Sequence, residues 1–200
     1  MKTSACLLTL TLIAGSASGA LAAGNSFATH LTGFNEVHFI AAPTPALRGA
    51  VSTPATGTFR ARIDQRNDII HYELRYADLT GAITQAHIHF GQTHTVGGIV
   101  VWLCQTATTP APPAVAMLTP DCPGPTAGVV SGTITPAQVL EATGQGLAAM
   151  QFEALVDAIR AGATYANVHS ATFPPGEIRG QIDHGPGGTV TDWRGLRRRV

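Results

Sequence analysis

The stretch that decides the fold runs from Gly57 to Leu79 and reads GTFRARIDQRNDIIHYELRYADL. Apolar residues alternate with polar ones in both of its halves, at Phe59, Ala61 and Ile63 and then at Ile70, Tyr72, Leu74 and Tyr76. A period of two places alternate side chains on opposite faces of a β-strand. Turn-forming residues (DQRND) occupy 64–68 between the halves, so the sequence predicts a β-hairpin.

Further along the chain, short strand-like segments are separated by Gly, Pro and Asp: ITQAHIHFG, GGIVVWLC, AGVVSGTIT, TYANVHS and GEIRGQID. This pattern predicts an all-β fold, namely an antiparallel β-sandwich of the Ig-like or superoxide-dismutase-like type. Helical spacing occurs once, at Phe152, Leu155, Val156 and Ile159, with Gly162 at the expected end. We therefore expect one α-helix before the last hairpin, and a short helical turn from Thr135 to Glu141.

The two ends of the chain differ from its middle. Residues 1–22 combine Lys2, a short apolar run and small residues ending at Ala22, which predicts a signal peptide cleaved near Ala22. We therefore expect an exported protein, periplasmic or secreted. No apolar stretch reaches the roughly 18 residues of a membrane span. Residues 184–200 are predicted to be a disordered basic tail, which leaves residues 26–183 as one domain.

Charge and motifs exclude several function classes. The 11 arginines nearly balance the 12 acidic residues, so no net field selects nucleic acid. The sequence contains no G-x-S-x-G, no Gly-rich phosphate loop and no H-E-x-x-H, and we predict no catalytic residue. The expected partner is an unidentified extracytoplasmic protein or surface ligand.

Cys104 and Cys122 remain after removal of the predicted signal peptide. In an exported chain such a pair predicts a disulfide, while a redox or metal role lacks the C-x-x-C spacing. A loop of this length would gain about 3 kcal/mol from the bond. The loop at 105–127 contains six of the chain's thirteen prolines. It could pack on the end of the fold or provide a partner surface.

Polar residues share one face on each of three predicted strands. His87 and His89 do so in AHIHFG, and Tyr165, Asn167 and His169 in TYANVHS. Glu177, Arg179 and Gln181 do so in GEIRGQI. Keeping like faces together predicts the pairs His169–Glu177, Asn167–Arg179 and Tyr165–Gln181 in the last hairpin.

This polar face has two interpretations. If the strands are neighbours, His87, His89 and His169 could bind copper or zinc, with Glu177 as a ligand or an orienting group. Alternatively, the side chains form a hydrogen-bonded network without an ion. For Arg179 we favour such a network, which would hold the hairpin, over anion binding. Among the other histidines, only His94 is near enough in sequence to complete a site.

These segments together resemble the CHRD domain, first named from chordin. The resemblance rests on HLTGFNEV, ATGTFRARID, AHIHFG, GGIVVWL and AIRAGATYANVHSATFPPGEIRGQI, within residues 26–183. Such domains occur in exported bacterial proteins and in chordin, which binds growth factors outside cells. The resemblance therefore implies no catalytic residues. The motif residues that match are Asn35, Glu36, His87, His89, Asn167, His169, Glu177, Arg179 and Gln181.

A fainter resemblance links the H-x-H strand and the later histidine to copper–zinc superoxide dismutase. This chain shows no histidine-and-aspartate zinc subsite, so dismutase activity is not expected. The sequence therefore favours an exported CHRD binding or structural module without established catalysis. The alternative is a copper- or zinc-binding protein that uses the three histidines, with or without redox chemistry. A third hypothesis is assembly through the proline-rich loop or through sheet edges.

Overall fold

The computed structural model describes residues 24–39 and 48–183, so the predicted signal peptide and basic tail lie outside the described residues. The strands are β1 (Ser26–Thr32), β2 (His38–Phe39), β3 (Arg48–Gly49), β4 (Thr56–Asp64), β5 (Ile69–Ala77), β6 (Ile83–Phe90), β7 (Gly98–Cys104), β8 (Gly128–Ile134), β9 (Thr164–Ser170) and β10 (Ile178–Ile182). The helices are α1 (Pro113–Ala116) and α2 (Phe152–Arg160), with 3-10 turns at Gly33–Asn35, Pro136–Gln138 and Thr143–Gln145.

Eight strands form a single antiparallel sheet in the order β7-β6-β9-β10-β1-β4-β5-β8, and β2 pairs with β3 separately. The edge strands β7 and β8 contact each other, so the large sheet is nearly closed. The prediction of an all-β antiparallel fold is confirmed. The sandwich arrangement is not confirmed, because hydrogen bonds join the eight strands into one sheet rather than two facing ones.

The β4–β5 hairpin forms where the alternating pattern predicts it. Asp64 pairs with Ile69 at its end, and the Asp64 carboxylate accepts hydrogen bonds from the Arg66 N–H and the Asn67 side chain. Phe59 and Leu74 pair across the strands, and both side chains are fully buried. The alternating residues of this hairpin therefore supply much of the core that the sheet encloses.

Helix α2 is also where its spacing predicts it, because its four apolar residues are buried against the core. Gly162 follows the helix with a φ of 64°, in the left-handed region that favours glycine at a helix end. The predicted turn after Thr135 is shorter than expected. Val139 leaves the helical conformation, and the Leu140 N–H bonds to the Val100 carbonyl instead of continuing a helix. None of the helices in the described part of the chain has the length and apolar character needed to cross a membrane.

The predicted disulfide between Cys104 and Cys122 is present and closes the proline-rich loop. Inside this loop, α1 places Val115 against Trp102 and Ala111 in a small apolar cluster apart from the main core. Gln105 holds the loop from within, since its side-chain amide bonds to the carbonyls of Ala116 and Thr119. Packing thus accounts for part of the loop, while Met117 and Leu118 remain exposed.

Strands β6, β9 and β10 are neighbours and bring the three polar segments together. In the ladder, Asn167 pairs with Arg179 and Tyr165 with Gln181, as the like-face argument predicts. Glu177 precedes β10, and its N–H donates to the Val168 carbonyl. All seven residues of β9 are buried. One face of β9 therefore packs in the main core, and the other lies under connecting segments.

Candidate metal centre

Three imidazoles converge on the polar face of β6 and β9. His87 Nδ1 lies 3.2 Å from His169 Nε2, and one nitrogen from each of His87, His89 and His169 lies within 4.8 Å of the others. The side chains are 0%, 7% and 5% exposed, respectively. Residues two apart on a regular strand are about 6.6 Å apart. Irregular pairing of β6 with β7 at Ala86–His87 and at Ile88–His89 accompanies this convergence, as bulges often redirect side chains near sites.

Two of the imidazoles are oriented by main-chain carbonyl groups. His89 Nδ1 lies 3.0 Å from the Gly97 oxygen, and His169 Nδ1 lies 2.8 Å from the Pro174 oxygen. A carbonyl oxygen only accepts, so each Nδ1 carries the proton and donates it. The lone pair of each ring is therefore on Nε2. This arrangement fixes the tautomer in the way that outer-shell carbonyls do for metal-bound histidines.

The tautomer of His87 is determined by its hydrogen bond with His169. Because His169 Nε2 is an acceptor, His87 Nδ1 donates the hydrogen bond that joins the two rings, and the His87 lone pair is on Nε2. The Nε2 atoms of His87 and His89 are both buried, and neither has a hydrogen-bond partner among the described residues. A buried acceptor without a partner costs about 1–3 kcal/mol, so two in one cluster require an explanation.

Burial keeps these rings neutral. It is the main cause that lowers the pKa of all three, and the pKa of His89 falls to about 4. Neighbouring imidazoles lower the pKa of His87 further, and the His169 ring and then the charge of Arg179 do so for His89. The carbonyl groups of Gly97 and Pro174 act in the opposite direction, with a smaller effect. Neutral imidazole is the form that binds a metal ion.

Aromatic rings enclose the cluster on two sides. The Trp102 ring stands edge-on to His87 with a centroid distance of 4.3 Å. Tyr165 stacks on His89 at 4.7 Å, and the two ring planes differ by 3°. The Arg179 guanidinium lies over the Tyr165 ring, 3.8 Å from its centroid. The imidazoles are therefore held by packing as well as by hydrogen bonds.

A network of polar side chains continues from the cluster along the same face. Asn167 donates to the Glu36 carboxylate at 2.6 Å and to the Ile178 carbonyl at 2.9 Å. Arg179 donates to the Thr95 carbonyl at 2.9 Å, and Gln181 donates to main-chain oxygens on two loops. Burial lowers the pKa of Arg179, while Tyr165 and Glu36 partly raise it. The network ties the loop after β6 to the β9–β10 hairpin.

A family model described as the CHRD domain matches residues 27–182. The chain belongs to the CHRD domain family. Searches of curated proteins and of solved structures each found no match. Membership of this family supports a non-catalytic binding or structural module as the coarse function. The histidine cluster and the polar network both lie within the matched residues.

Two of the predicted site residues of the CHRD domain are placed apart from the histidines. Glu177 Oε1 accepts hydrogen bonds from the Thr53 hydroxyl and from the Thr80 N–H and hydroxyl. Burial raises the pKa of Glu177, but hydrogen bonds from Ser170, Thr53 and Thr80 outweigh it and lower the pKa overall. Asn35 is exposed, and none of the hydrogen bonds described involves its side chain.

Sequence reasoning missed several participants of this CHRD site. Trp102 falls in a predicted strand, but the sequence gives it no role. Its contact with His87 depends on the register between β6 and β7, which the structure provides. The carbonyl groups of Gly97 and Pro174 carry no side-chain signal. His94 is exposed in the loop after β6, with a φ of 64°, and is not part of the three-histidine cluster.

Proposed function

We propose that this CHRD domain is an exported, non-catalytic module that binds one copper or zinc ion through His87, His89 and His169. One observation carries the proposal. Main-chain carbonyls hold the Nδ1 protons of His89 and His169, which leaves both lone pairs on Nε2, and one nitrogen from each of the three rings lies within 4.8 Å of the others. Imidazole nitrogens suit both metals. Three protein nitrogens with a further position left open is a known arrangement for zinc.

A network without an ion explains less of the geometry. It accounts for the bond between His87 and His169, but it leaves two buried nitrogens without a partner. A metal ion would accept lone pairs from these rings and remove that cost. The rings of His89 and His169 need no change of tautomer to bind it, because the lone pair of each is already on Nε2. On His169 the ion would replace the hydrogen bond from His87 Nδ1.

Two features support an extracytoplasmic location for this module. The sequence begins with a segment typical of a signal peptide, and the structure has a disulfide between Cys104 and Cys122. When bound, the metal would supply Lewis acidity or one-electron chemistry. The residues of this chain would hold the ion, exclude water around it, and connect it through Arg179 to the Thr95 loop.

The test is elemental analysis of the protein purified without a chelator. The wild type is compared with the double variant His87→Ala/His89→Ala, and His30→Ala/His71→Ala serves as the matched control. The two control histidines lie on strands outside the cluster, so the number of imidazoles removed is equal.

We expect about one equivalent of copper or zinc in the wild type and the control, and less than a tenth of that in the His87/His89 variant. Circular dichroism of each protein checks that it is folded. A folded wild type that holds no metal and does not bind added copper or zinc would overturn the proposal. Equal loss of metal in the control variant would also overturn it, because binding would then not depend on this cluster.

A further inference from the structure

We infer that the three-histidine site prefers a monovalent ion, Cu(I), to the divalent ions Cu(II) and Zn(II). The inference rests on the proposed function and specifies the chemical class of its ligand. It follows from the charge and burial around the three rings.

The ligands bring no negative charge. Among the described residues, the group that can hold a metal at this position consists of three neutral imidazoles, with no carboxylate and no thiolate. The cost of transferring an ion from water into a medium of low dielectric constant rises with the square of its charge. With neutral ligands this cost is not offset by opposite charge on the ligands. The transfer cost of a divalent ion is therefore about four times that of a monovalent ion of the same size.

A positive charge is held against the ring that stacks on His89, and the Glu36 carboxylate, bonded to Asn167 beside Arg179, offsets it only in part. Arg179 stacks over Tyr165, which in turn stacks on His89, so the guanidinium is held at a defined distance from the site. Its hydrogen bond to the Thr95 carbonyl keeps it there. The same charge repels a divalent ion twice as strongly as a monovalent one.

Burial also limits the number of ligands. Zinc in structural sites is almost always four-coordinate, and a three-histidine zinc site usually completes its shell with water. Here the three side chains are nearly inaccessible, and Trp102 and Tyr165 pack against two of them. Imidazole is a ligand for copper as well as for zinc. Cu(I), with its lower charge and filled d shell, accepts fewer ligands than Zn(II), so three imidazoles can complete its shell without water.

The experiment measures affinities for three metals on one protein. The purified chain is stripped of metal and titrated without oxygen with Cu(I) buffered by bicinchoninate, and separately with buffered Cu(II) and Zn(II). The His87→Ala/His89→Ala variant is titrated in parallel, so that binding elsewhere in the chain is identified. We expect one equivalent of Cu(I) bound at least about tenfold more tightly than Cu(II) or Zn(II).

A pair of variants isolates the role of charge. Arg179→Gln removes the positive charge, whereas Arg179→Lys keeps it. In the Gln variant we expect Zn(II) affinity to rise about tenfold, and Cu(I) affinity only about threefold, because a monovalent ion feels half the repulsion. The Lys variant should keep the wild-type ratio. If the Gln variant does not fold, the wild-type comparison decides alone.

The outcomes separate this inference from the proposed function. Cu(II) or Zn(II) binding through the histidines, at an affinity equal to or above that of Cu(I), would overturn the preference and leave the metal site in place. No histidine-dependent binding of any of the three metals would overturn both. Equal ratios of Zn(II) to Cu(I) affinity in the Gln and Lys variants would overturn the electrostatic origin of the preference.

Discussion

A single hydrogen bond at His89 determines which ring nitrogen is free. The acceptor is the carbonyl of Gly97, a residue without a side chain and at the end of the loop that follows β6. A Cβ atom at Gly97 would lie 1.7 Å from the Phe90 carbonyl oxygen, so even alanine forces the backbone to move. The position of this carbonyl, and with it the orientation of His89, therefore depends on glycine at position 97.

Gly97→Ala should weaken metal binding although it changes none of the three ligands. Loss of a group that orients a metal-bound histidine typically reduces affinity by about 10–100-fold, and we expect a reduction in that range. Affinity is measured by competition with a chromophoric chelator. Gly144→Ala is the control, since a Cβ there meets nothing within 4 Å. Equal affinities for the two variants would show that the Gly97 carbonyl does not hold the ring.

Glu177 is a second residue whose environment gives a prediction. Its carboxylate is buried, and three hydrogen-bond donors converge on Oε1. Its pKa is lowered in the folded protein, so its contribution to stability is present above the unfolded-state pKa and is lost as the pH falls through the lower folded-state pKa.

Glu177→Gln should therefore reduce the free energy of unfolding at pH 7 by about 1.5–3 kcal/mol, the range for hydrogen bonds to a charged group. The difference from the wild type should shrink as the pH falls below the unfolded-state pKa and through the lower folded-state pKa of Glu177, below which both side chains are neutral. Urea unfolding at a series of pH values measures it. A difference that is constant from pH 7 to pH 3 would contradict the role of the charge.

At the scale of secondary-structure elements, the sequence predicts strands well and their assembly less well. The β4–β5 hairpin follows from strict alternation, and the β9–β10 register follows from keeping polar faces together. The turn after Thr135 was too long in the prediction, because a hydrogen bond from Leu140 to β7 competes with the helix. Tertiary pairing of this kind has no local signal.

In the candidate site, too, the sequence predicts what depends on strand alternation and does not predict what depends on loops. The three histidines were placed on one surface by alternation, and the β6–β9 pairing joins them. Their tautomers depend on Gly97 and Pro174, which belong to loops whose course no periodicity predicts. Glu177 shared the predicted polar face but bonds instead with Thr53 and Thr80, from segments distant in sequence.

The disulfide-closed loop gives a prediction at this scale. Cys104→Ser/Cys122→Ser should lower the free energy of unfolding by about 3 kcal/mol, because the unfolded chain gains the entropy of an open loop. Urea unfolding of the variant is compared with that of the wild type. The wild type unfolded in the presence of a reductant should show the same loss. A loss below about 1 kcal/mol would mean that Gln105 and α1 hold the loop without the bond.

Across the whole molecule, the metal site and the main core share strand β9. Val168 faces the core and His169 the polar cluster, and both are buried. The ligands come from β6 and β9, which lie side by side within the sheet rather than at its edges. Release of a bound ion by local opening would therefore disturb the core packing of these strands. Metal binding should stabilise the entire domain against unfolding.

We therefore expect the free energy of unfolding to increase by about 1.4 kcal/mol for each tenfold rise in free metal above the Kd. Urea unfolding at several buffered metal concentrations gives this slope. Excess chelator, EDTA for Zn(II) or Cu(II) and bicinchoninate for Cu(I), should return the stability to that of the metal-free protein. In His169→Gln the slope should fall to zero, whereas exposed His30→Gln should keep it. If metal binds but does not stabilise the wild type, the site is not the one between β6 and β9. Such an ion would bind the folded and unfolded chains equally, as expected for exposed side chains.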